Sequence, residues 1–420
     1  MTIARSAAII GGGIGGLTLA NALIRSGLSV SLYERASHYT PTSGAALGLQ
    51  PNGQIPLAYI GFKDSIQKLV HPFYHWQLID EHGKVRSTSP RLGEYGQRFG
   101  YYVGGAIRAE LVDMLKAPLE QNQCLHYSHK VIDLQQDAHG VTLSFENHHE
   151  QKPVRVDLVI GADGIHSTVV KKIFSATEPP IYSKENIFYG MIDNIDEQTS
   201  IGPIAAQKNT LTQCFSSGEF LCYRAGNQGQ FMWAATYPSD TPPLTSSDAE
   251  WTHTNNQREL NRFLTLFPST HPVHQCAAVT DQQRLLHFGL FYRKHRSDGW
   301  HRGRICLLGD ACHATLPYAG QGANMAIEDA ITLTSCLEKH QFQIEPALDE
   351  YYNKRFARTK RVVDISRYMG LFFHSQNSLL HVIRQSLYPK LMNSNAMIKI
   401  AEKELFENCP VPMEYKKIKT

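Results

Sequence analysis

A glycine-rich turn near the amino terminus is the sequence feature that most constrains the fold. Residues 5–10 form an apolar run typical of a short buried strand, and residues 15–25 carry apolar side chains at helical spacing. A second apolar run at 28–33 predicts another strand. Strand, helix and strand in this order predict a parallel β-α-β unit, so we expect an α/β domain.

The glycines between the first strand and the helix have the G-x-G-x-x-G spacing of dinucleotide sites. Gly11 permits a tight turn, Gly13 lets a pyrophosphate approach the backbone, and Gly16 allows close packing of helix on strand. The helix amino terminus then stabilises the phosphate charge. Glu34 ends the second strand, where its carboxylate can accept hydrogen bonds from ribose hydroxyls. The motif predicts NAD or FAD, because an acidic ribose contact disfavours a 2′-phosphate.

Composition excludes several other classes of protein. The 420 residues include 41 Lys and Arg against 38 Asp and Glu, a net charge of +3, so no nucleic-acid partner is predicted. The eight cysteines show no CxxC spacing, so no disulfides are expected. Histidines that stand close together in the sequence lack a third clustered ligand, so no metal site is expected. No apolar run approaches the roughly 20 residues of a transmembrane helix. We therefore expect a cytoplasmic protein without a membrane anchor.

Two later motifs favour FAD over NAD. A predicted strand at 154–160 runs into GADG at 161–164. Another predicted strand, at 304–308, runs into the Gly-Asp pair at 309–310 and continues as LPYAGQGAN at 316–324. A simple NAD dehydrogenase needs neither motif.

The three motifs, in this order, resemble those of the group A flavoprotein monooxygenases, the FAD-dependent aromatic hydroxylases that include salicylate hydroxylase and the zeaxanthin-epoxidase-like enzymes. Segments 107–111 and 352–367 are similar as well, so the resemblance extends to about residue 390. It implies FAD as cofactor and NADH or NADPH as transient electron donor. It also implies insertion of one oxygen atom of O₂ into an organic substrate through a flavin C4a-hydroperoxide, by aromatic hydroxylation or epoxidation.

The cofactor residues follow from chemistry and from the resemblance. Asp310, at the end of a strand, can accept hydrogen bonds from a ribityl chain, and Gly320 and Gly322 let main chain lie close to a flat ring. A helix beginning near residue 322 can stabilise negative charge on a reduced flavin. The resemblance adds one residue at the ribityl phosphate, two beside the flavin and one at adenine, namely Arg108, Gly48, Ala323 and Val131. The complete predicted cofactor set is Gly11, Gly13, Gly15, Gly16, Glu34, Arg35, Gly48, Arg108, Val131, Asp163, Asp310, Gly320, Gly322, Ala323 and Asn324.

The cofactor domain is expected to be discontinuous, because the Gly-Asp strand must return to the sheet that carries the first motif. We predict a Rossmann-like FAD-binding domain of the glutathione-reductase type from residues 1–175 and 300–365. Residues 176–299 are a predicted substrate domain with a mainly antiparallel β-sheet, and 50–105 contributes to the substrate side. Within it, residues 218–224 and 230–237 flank the turn residues of a predicted hairpin, and 285–292 is another predicted strand. Residues 366–420 are predicted C-terminal helices over the domain junction, with a membrane-surface or dimer contact as the alternative.

Two positions depart from the family pattern. Val170 replaces an arginine usual near the end of the Asp-Gly motif, which leaves the reductant and its binding mode open. Phe220 replaces a histidine that relatives of the salicylate type often carry three residues before the tyrosine aligned with Tyr223. Because that histidine is missing, Tyr223 is the predicted catalytic side chain. His313 and Pro317, in the loop beside the flavin, complete the predicted catalytic set, and Tyr318 of the same loop is a lesser candidate.

Strand alternation bears on what the substrate contacts. Tyr223 and Leu221 share one face of the predicted strand 218–224, while Phe220 and Cys222 share the other. A Tyr223 face toward the flavin would orient a substrate hydroxyl. A Phe220 face would present an apolar wall that suits a polyketide or terpenoid.

Other functions are carried as alternatives. A flavin-dependent halogenase is disfavoured because the four tryptophans form no Trp-x-Trp pair. A dehydrogenase and a non-catalytic FAD-binding scaffold are further alternatives, and the scaffold fits the departure at Val170. The expected partners are O₂ and a small organic substrate, which is aromatic, polyketide or terpenoid-like, with a monomer or homodimer as the assembly.

Overall fold

The computed structural model describes residues 3–39, 45–146, 153–174, 178–193, 195, 204, 207–215, 218–243, 257–375, 377–404 and 409–411. Its strands are β1 Ser6–Ile10, β2 Ser29–Tyr33, β3 Ala46–Leu49, β4 His71–Pro72, β5 His75–Ile79, β6 Val85–Ser89, β7 Gly104–Ile107, β8 Leu125–His126, β9 Val131–Asp137, β10 Gly140–Phe145, β11 Val154–Val156, β12 Leu158–Gly161, β13 Ile181–Ile192, β14 Thr210–Phe215, β15 Glu219–Ala225, β16 Gln230–Pro238, β17 Leu285–Tyr292, β18 His301–Arg302 and β19 Ile305–Leu307. Its α-helices are α1 Ile14–Arg25, α2 Pro51–Leu57, α3 Lys63–Leu69, α4 Arg91–Phe99, α5 Arg108–Gln121, α6 Thr168–Ile173, α7 Gln257–Leu264, α8 Pro272–Val279, α9 Asp310–His313, α10 Gly322–Lys339, α11 Ile344–His374, α12 Ser378–Val382, α13 Tyr388–Met392 and α14 Asn395–Glu402. Short π or 3₁₀ segments cover Ala58–Phe62, Gln282–Arg284, Pro317–Ala319 and Ile383–Leu387.

A largely parallel sheet carries the amino-terminal motif. Its six strands lie in the order β18-β19-β12-β1-β2-β8, and β1 pairs in parallel with both β2 and β12. Helix α1 connects β1 to β2 and buries Leu17, Ala20 and Leu23. The predicted Rossmann-like β-α-β unit is therefore confirmed.

The Gly-Asp strand returns to this same sheet. Strand β19 pairs in parallel with β12, with Ile305 opposite Val159. Because the carboxyl ends of parallel strands meet at one edge, the turns after β1, β12 and β19 lie together there. This edge is the position at which doubly wound sheets bind nucleotides. The domain boundaries at 175, 300 and 365 remain a prediction.

The strand predicted at 154–160 is in fact two strands. β11 belongs to a three-stranded sheet with β9 and β10, whereas β12 belongs to the parallel sheet. The break falls at Asp157, whose Oδ2 accepts hydrogen bonds from the backbone nitrogens of Arg5 at 2.9 Å and Ser6 at 3.0 Å. The Asp157 carboxylate, which accepts hydrogen bonds from backbone nitrogens at the start of β1, therefore interrupts the apolar run.

A ten-stranded sheet forms the other half of the fold. Its main path is β17-β13-β16-β15-β14-β5-β6, and β7 pairs with β15, β3 and β4. Strands β15 and β16 form the predicted antiparallel hairpin, with Ala225 opposite Gln230. Strand β17 has the predicted bounds, and strands β4 to β7 come from the 50–105 segment.

The two faces of this sheet have different neighbours, and we call them the inner and the outer face. Inner-face side chains such as Phe215 and Tyr223 share one buried cluster with the core of the parallel sheet. Outer-face side chains such as Phe220 and Trp233 join a second cluster with Phe263 of α7. Side-chain alternation along each strand produces this division.

Helix α11 is 31 residues long, from Ile344 to His374, and it runs across the predicted boundary at 366. Its first turns bury Leu348 and Tyr351, whereas its last turns leave Tyr368 and Leu371 exposed. No described helix combines the length and the apolar character needed to cross a bilayer.

Candidate active site

The amino-terminal turn has room only for glycine at two of its positions. Gly11 has φ +103°, and a Cβ there would lie 2.5 Å from the carbonyl oxygen of Ala162. A Cβ on Gly16 would lie 2.1 Å from the carbonyl oxygen of Gly11. At Gly13, by contrast, a Cβ would meet nothing within 4 Å. The turn therefore packs tightly against the β12 turn on one side and leaves open space beside Gly13 on the other.

Glu34 lies directly beside this turn. Its Oε2 accepts a hydrogen bond from the backbone nitrogen of Gly12 at 2.7 Å, and its Oε1 accepts one from that of Ala36 at 2.9 Å. Tyr39 covers the same turn and donates to the carbonyl oxygen of Gly12 at 2.6 Å. Arg35 is exposed. The carboxylate is thus held at the strand end, next to an α1 amino terminus that has no side-chain cap.

Asp310 is the exposed first residue of α9, at the carboxyl edge of β19. The backbone nitrogen of the preceding Gly309 donates to Oδ2 of Asp329 at 3.1 Å, which fixes the turn from beneath. A carboxylate held here can accept hydrogen bonds from hydroxyls that cross the sheet edge.

Asn324 joins the segments that surround the predicted ring position. Its Nδ2 donates to the carbonyl oxygens of Gly48 at 3.0 Å and Gly320 at 2.9 Å, and its Oδ1 accepts from the backbone nitrogen of Gln50 at 3.0 Å. A Cβ on Gly48 would meet nothing within 4 Å, so there is open space on that strand. Helix α10 begins here without a side-chain cap. These features fit a flat ring lying between β3 and the amino end of α10, as FAD requires.

A buried ion network supports this region from behind. Arg355 donates to Asp329 Oδ1 at 2.6 Å and to Glu328 Oε2 at 2.5 Å, and all three side chains are almost fully buried. Asn52 of α2 donates to Glu328 Oε1 at 2.7 Å. Nothing in the local sequence pattern predicted that these residues pair, because they come from three separate helices.

His313 belongs to the same network. Its Nε2 lies 2.6 Å from Asp329 Oδ2, and its ring contacts Trp300 with centroids 5.4 Å apart. Burial alone would raise the pKa of Asp329, but His313 and Arg355 hold that pKa at about 2. Cys312, His313 and Asp329 have atoms within 4.8 Å of one another, yet both oxygens of Asp329 are already bonded, so we assign this group to the ion network. A catalytic role of His313 stays a prediction.

The other predicted cofactor residues lie in turns or at the starts of helices and strands. Asp163 accepts hydrogen bonds from Ser167 Oγ at 2.5 Å and from the Thr168 backbone nitrogen at 2.6 Å, so it caps α6. Arg108 begins α5 and Val131 begins β9. The remaining predicted cofactor residues, Gly15, Gly322 and Ala323, lie at the starts of α1 and α10.

Val170, which stands where relatives carry arginine, is 1% exposed and packs into the core of the parallel-sheet half. The neighbouring Lys171 is exposed. At this position a buried apolar side chain therefore replaces the arginine of the relatives.

Tyr223 lies on the inner face. Its ring is 5.1 Å from that of Phe73, and its hydroxyl contacts the hydroxyl of Tyr189. Tyr189 in turn donates to the carbonyl oxygen of Ala46 on β3. Phe220 lies on the outer face, with its ring 5.3 Å from that of His271. The apolar wall of Phe220 is therefore turned away from the cofactor half, while the catalytic role of Tyr223 stays a prediction.

The predicted catalytic Pro317 is exposed and begins the turn that precedes Gly320. The next residue, Tyr318, is buried and donates to Glu185 Oε2 at 2.7 Å. Nε2 of His374 lies 2.9 Å from the Tyr318 hydroxyl and 3.0 Å from Oγ1 of Thr236. Sequence reasoning named Tyr318 but missed the inner-face polar cluster that it forms with Glu185, Thr236 and His374, because these partners come from distant segments.

Comparisons with known proteins agree with this geometry. A family model described as FAD binding domain matches residues 5–366. The FAD-dependent monooxygenase prhF of Penicillium brasilianum is 27% identical over 403 residues, which cover 89% of this chain and 80% of that protein. The 6-methylsalicylate 1-monooxygenase atA of Aspergillus terreus is 29% identical over 388 residues, covering 86% and 81%. The structure of Klebsiella pneumoniae HpxO with FAD and uric acid is similar at a TM-score of 0.81 and 25% identity, covering 97% of this chain and 98% of that one.

The family match extends over most of the 420 residues and includes all three motifs. The chain therefore belongs to the FAD binding domain family, and it is an FAD-dependent monooxygenase.

Proposed function

We propose that FAD lies along the shared carboxyl edge of β1, β12 and β19, with its ring against the inner face of the ten-stranded sheet. The observation that carries this proposal is the set of hydrogen bonds from Asn324, which connect Gly48, Gln50 and Gly320 around open space. The turn at Gly11 to Gly16 would receive the pyrophosphate, and Glu34 the adenosine ribose.

The remaining cofactor residues take roles by position. Asp310 accepts hydrogen bonds from the ribityl hydroxyls, and Arg108 neutralises phosphate charge. The amino terminus of α10 at Gly322 and Ala323 stabilises charge on the pyrimidine end of the ring. Val131 offers its backbone to adenine.

When bound, FAD supplies the redox chemistry that takes two electrons from NAD(P)H and activates O₂, so that one oxygen atom enters the substrate and the other leaves as water. The protein binds and orients the substrate and excludes water from the ring. Tyr223 and Tyr189 position a polar group of the substrate over the ring. Pro317 contacts the ring edge, and His313 holds the Gly-Asp turn through Asp329.

The substrate is a small organic molecule with a large apolar part. This proposal is supported by the inner face, where Leu211, Leu221 and Phe288 stay half-exposed although the cofactor half covers the sheet. Half-exposed apolar side chains at such a place line an open space between the two halves.

The test is reconstitution with FAD followed by NAD(P)H oxidation, with O₂ uptake and product mass measured across a panel of aromatic and polyketide-like compounds. We expect about one non-covalent FAD per chain and a product that has gained one oxygen atom. Release of FMN, or a chain that binds FAD but never oxidises NAD(P)H, contradicts the proposal.

Replacement of Asp310 by alanine is expected to weaken FAD binding by about 10-fold to 100-fold, because charge-assisted hydrogen bonds to the ribityl chain are lost. The measurement is FAD titration followed by flavin fluorescence. Asp364→Ala is the matched control, since that carboxylate lies on the surface beside Lys360. Equal FAD affinity in wild type and Asp310→Ala would remove Asp310 from the site.

Replacement of Tyr223 by phenylalanine is expected to lower product formed per NAD(P)H about 10-fold, because the hydroxyl that orients the substrate is lost. FAD content should not change. Tyr237→Phe is the control, because Tyr237 belongs to the outer-face cluster. An unchanged ratio of product to NAD(P)H in Tyr223→Phe would mean that the Tyr223 hydroxyl has only a structural role in the core.

A further inference from the structure

We propose that Glu219 is a specificity-determining residue that hydrogen-bonds a neutral hydroxyl or carbonyl group of the substrate, so that the site selects uncharged over carboxylate-bearing compounds. This inference rests on the proposed function of the inner face. It goes further by naming the polar group that the substrate carries.

The inner face has an unusual set of side chains. Along β5 and β13–β17 the strand registers place two carboxyl groups on this face and, among the described positions, no lysine, arginine or histidine. His71 of β4 shares this side of the sheet, because both His71 and Ala225 lie opposite Gly105. The inner-face positions of β5 and β13–β17 include Trp76, Leu78, Glu185, Ile187, Tyr189, Met191, Leu211, Gln213, Phe215, Glu219, Leu221, Tyr223, Met232, Ala234, Thr236, Leu286, Phe288 and Leu290. A substrate carboxylate placed against β5 and β13–β17 would lose its hydration without gaining a cationic partner from these strands, which is costly in a buried site.

Glu219 is held in one orientation by a chain of hydrogen bonds. The indole nitrogen of Trp76 donates to Oε1 of Gln213, which fixes the amide so that its Nε2 donates to Glu219 Oε1 at 2.8 Å. The backbone nitrogen of Glu219 donates to Oγ1 of Thr236 at 3.1 Å. Among the described residues no donor or acceptor is bonded to the second carboxyl oxygen, Oε2.

The position of Glu219 lets this second oxygen reach a substrate. Glu219 is only 4% exposed, but Gln213 and Leu221, next to it on the same face, are half-exposed. The buried carboxyl group therefore lies beside two half-exposed side chains of the same face. One of its oxygens accepts from Gln213, and no described residue is hydrogen-bonded to the other.

The charge state of the cluster also favours an uncharged partner. Burial raises the pKa of Glu219 to about 8, and the nearby Glu185 adds to that rise. Burial lowers the pKa of His374 to about 4, with Arg384 contributing. Arg384 itself donates to the carbonyl oxygens of Phe372 and Phe373, so it is committed to the end of α11. At neutral pH Glu219 thus carries its proton and can donate to a carbonyl or accept from a hydroxyl.

The experiment compares two probes with one ring system, 2-naphthol and 2-naphthoate, on the FAD-loaded full chain at pH 7. Binding is read from the change in absorbance of the bound flavin, which does not depend on turnover. We expect 2-naphthol to bind at least about 10-fold more tightly than 2-naphthoate, the effect of one well-placed hydrogen bond.

Two substitutions of Glu219 sharpen the result. Glu219→Gln keeps a neutral hydrogen-bonding group of the same shape and should keep the preference for 2-naphthol, whereas Glu219→Leu should reduce 2-naphthol affinity about 10-fold and abolish the preference. Cys222→Ala, on the outer face of the same strand, should match wild type. FAD content and melting temperature of each variant show whether it folds.

Three results would overturn the inference. They are equal or tighter binding of 2-naphthoate, an unchanged preference in Glu219→Leu, and no binding of either probe up to its solubility. Failure of the proposed function is a separate outcome, because it would appear in wild type as absent FAD binding or absent NAD(P)H oxidation.

Discussion

Replacement of Arg355 by methionine is expected to destabilise the folded protein by about 3–5 kcal/mol, a large share of the stability of an ordinary domain. Arg355 is 2% exposed and bonds both Asp329 and Glu328. Methionine fills a similar volume but leaves two buried carboxylates short of their counter-charge. Removal of one partner of a buried ion pair is costly for this reason, even though the intact pair adds little net stability.

The same change should also weaken FAD binding, because Asp329 fixes the backbone nitrogen of Gly309 next to Asp310. The measurements are the free energy of unfolding in denaturant and the FAD dissociation constant. The control is Arg361→Met on the same helix, where the arginine side chain is 46% exposed and lies 3.0 Å from Glu404. That surface pair should contribute within about 0.5 kcal/mol. Similar losses in both variants would contradict the buried-network argument.

Acid unfolding at mildly low pH is the second large expected effect. Burial lowers the pKa of His271 to about 3 and those of His287, His295 and His374 to about 4, against an ordinary value of 6.5. Because the folded pKa values are depressed, the stability these groups contribute is fully present above pH 6.5. It is lost as the pH falls toward 4, since the unfolded chain then binds more protons.

The summed free-energy cost of protonating these four histidines decides whether the protein unfolds in mild acid. One pKa unit corresponds to about 1.4 kcal/mol, so four such groups together reach the roughly 5–15 kcal/mol that stabilise a folded domain. Glu185 and Glu219 act in the opposite direction, because burial raises their pKa values and their protonated forms are favoured in the fold. We therefore expect maximal stability near pH 6.5 and cooperative unfolding between about pH 6 and 4.

The measurement is the free energy of unfolding across pH 4 to 8, followed by circular dichroism. His287→Gln removes one of these groups and should make the decline below pH 6.5 shallower by about one proton per molecule. The exposed His139, replaced in the same way, should leave the slope unchanged. A free energy of unfolding that stays constant from pH 7 to pH 4 would show that these histidines gain protons without destabilising the fold.

Local patterns account for the parts of the fold that the sequence predicted well. The glycines at Gly11 and Gly16 have contacts that only glycine tolerates, so their spacing marks the nucleotide turn directly. The hairpin between β15 and β16 and the bounds of β17 follow from alternation and turn residues within one segment. Alternation along β15 likewise suffices to predict that Tyr223 and Leu221 share one face of the strand.

The tertiary structure decided everything that depends on which distant segment lies opposite. Alternation could not say whether Tyr223 or Phe220 looks toward the cofactor half, because that depends on which cluster packs against each face. It could not predict that His313 would meet Asp329, or that Glu219 would be buried beside Gln213.

The physical reason is that burial and ion pairing are properties of contacts, not of single residues. The sequence alone predicts an exposed strand end at Glu219, whereas in the sheet its carboxyl group is buried beside Gln213 and Thr236. The sequence by itself therefore determined the cofactor turn, the fold class and the family, whereas the fold alone determined which polar groups lie together on the inner face of the sheet.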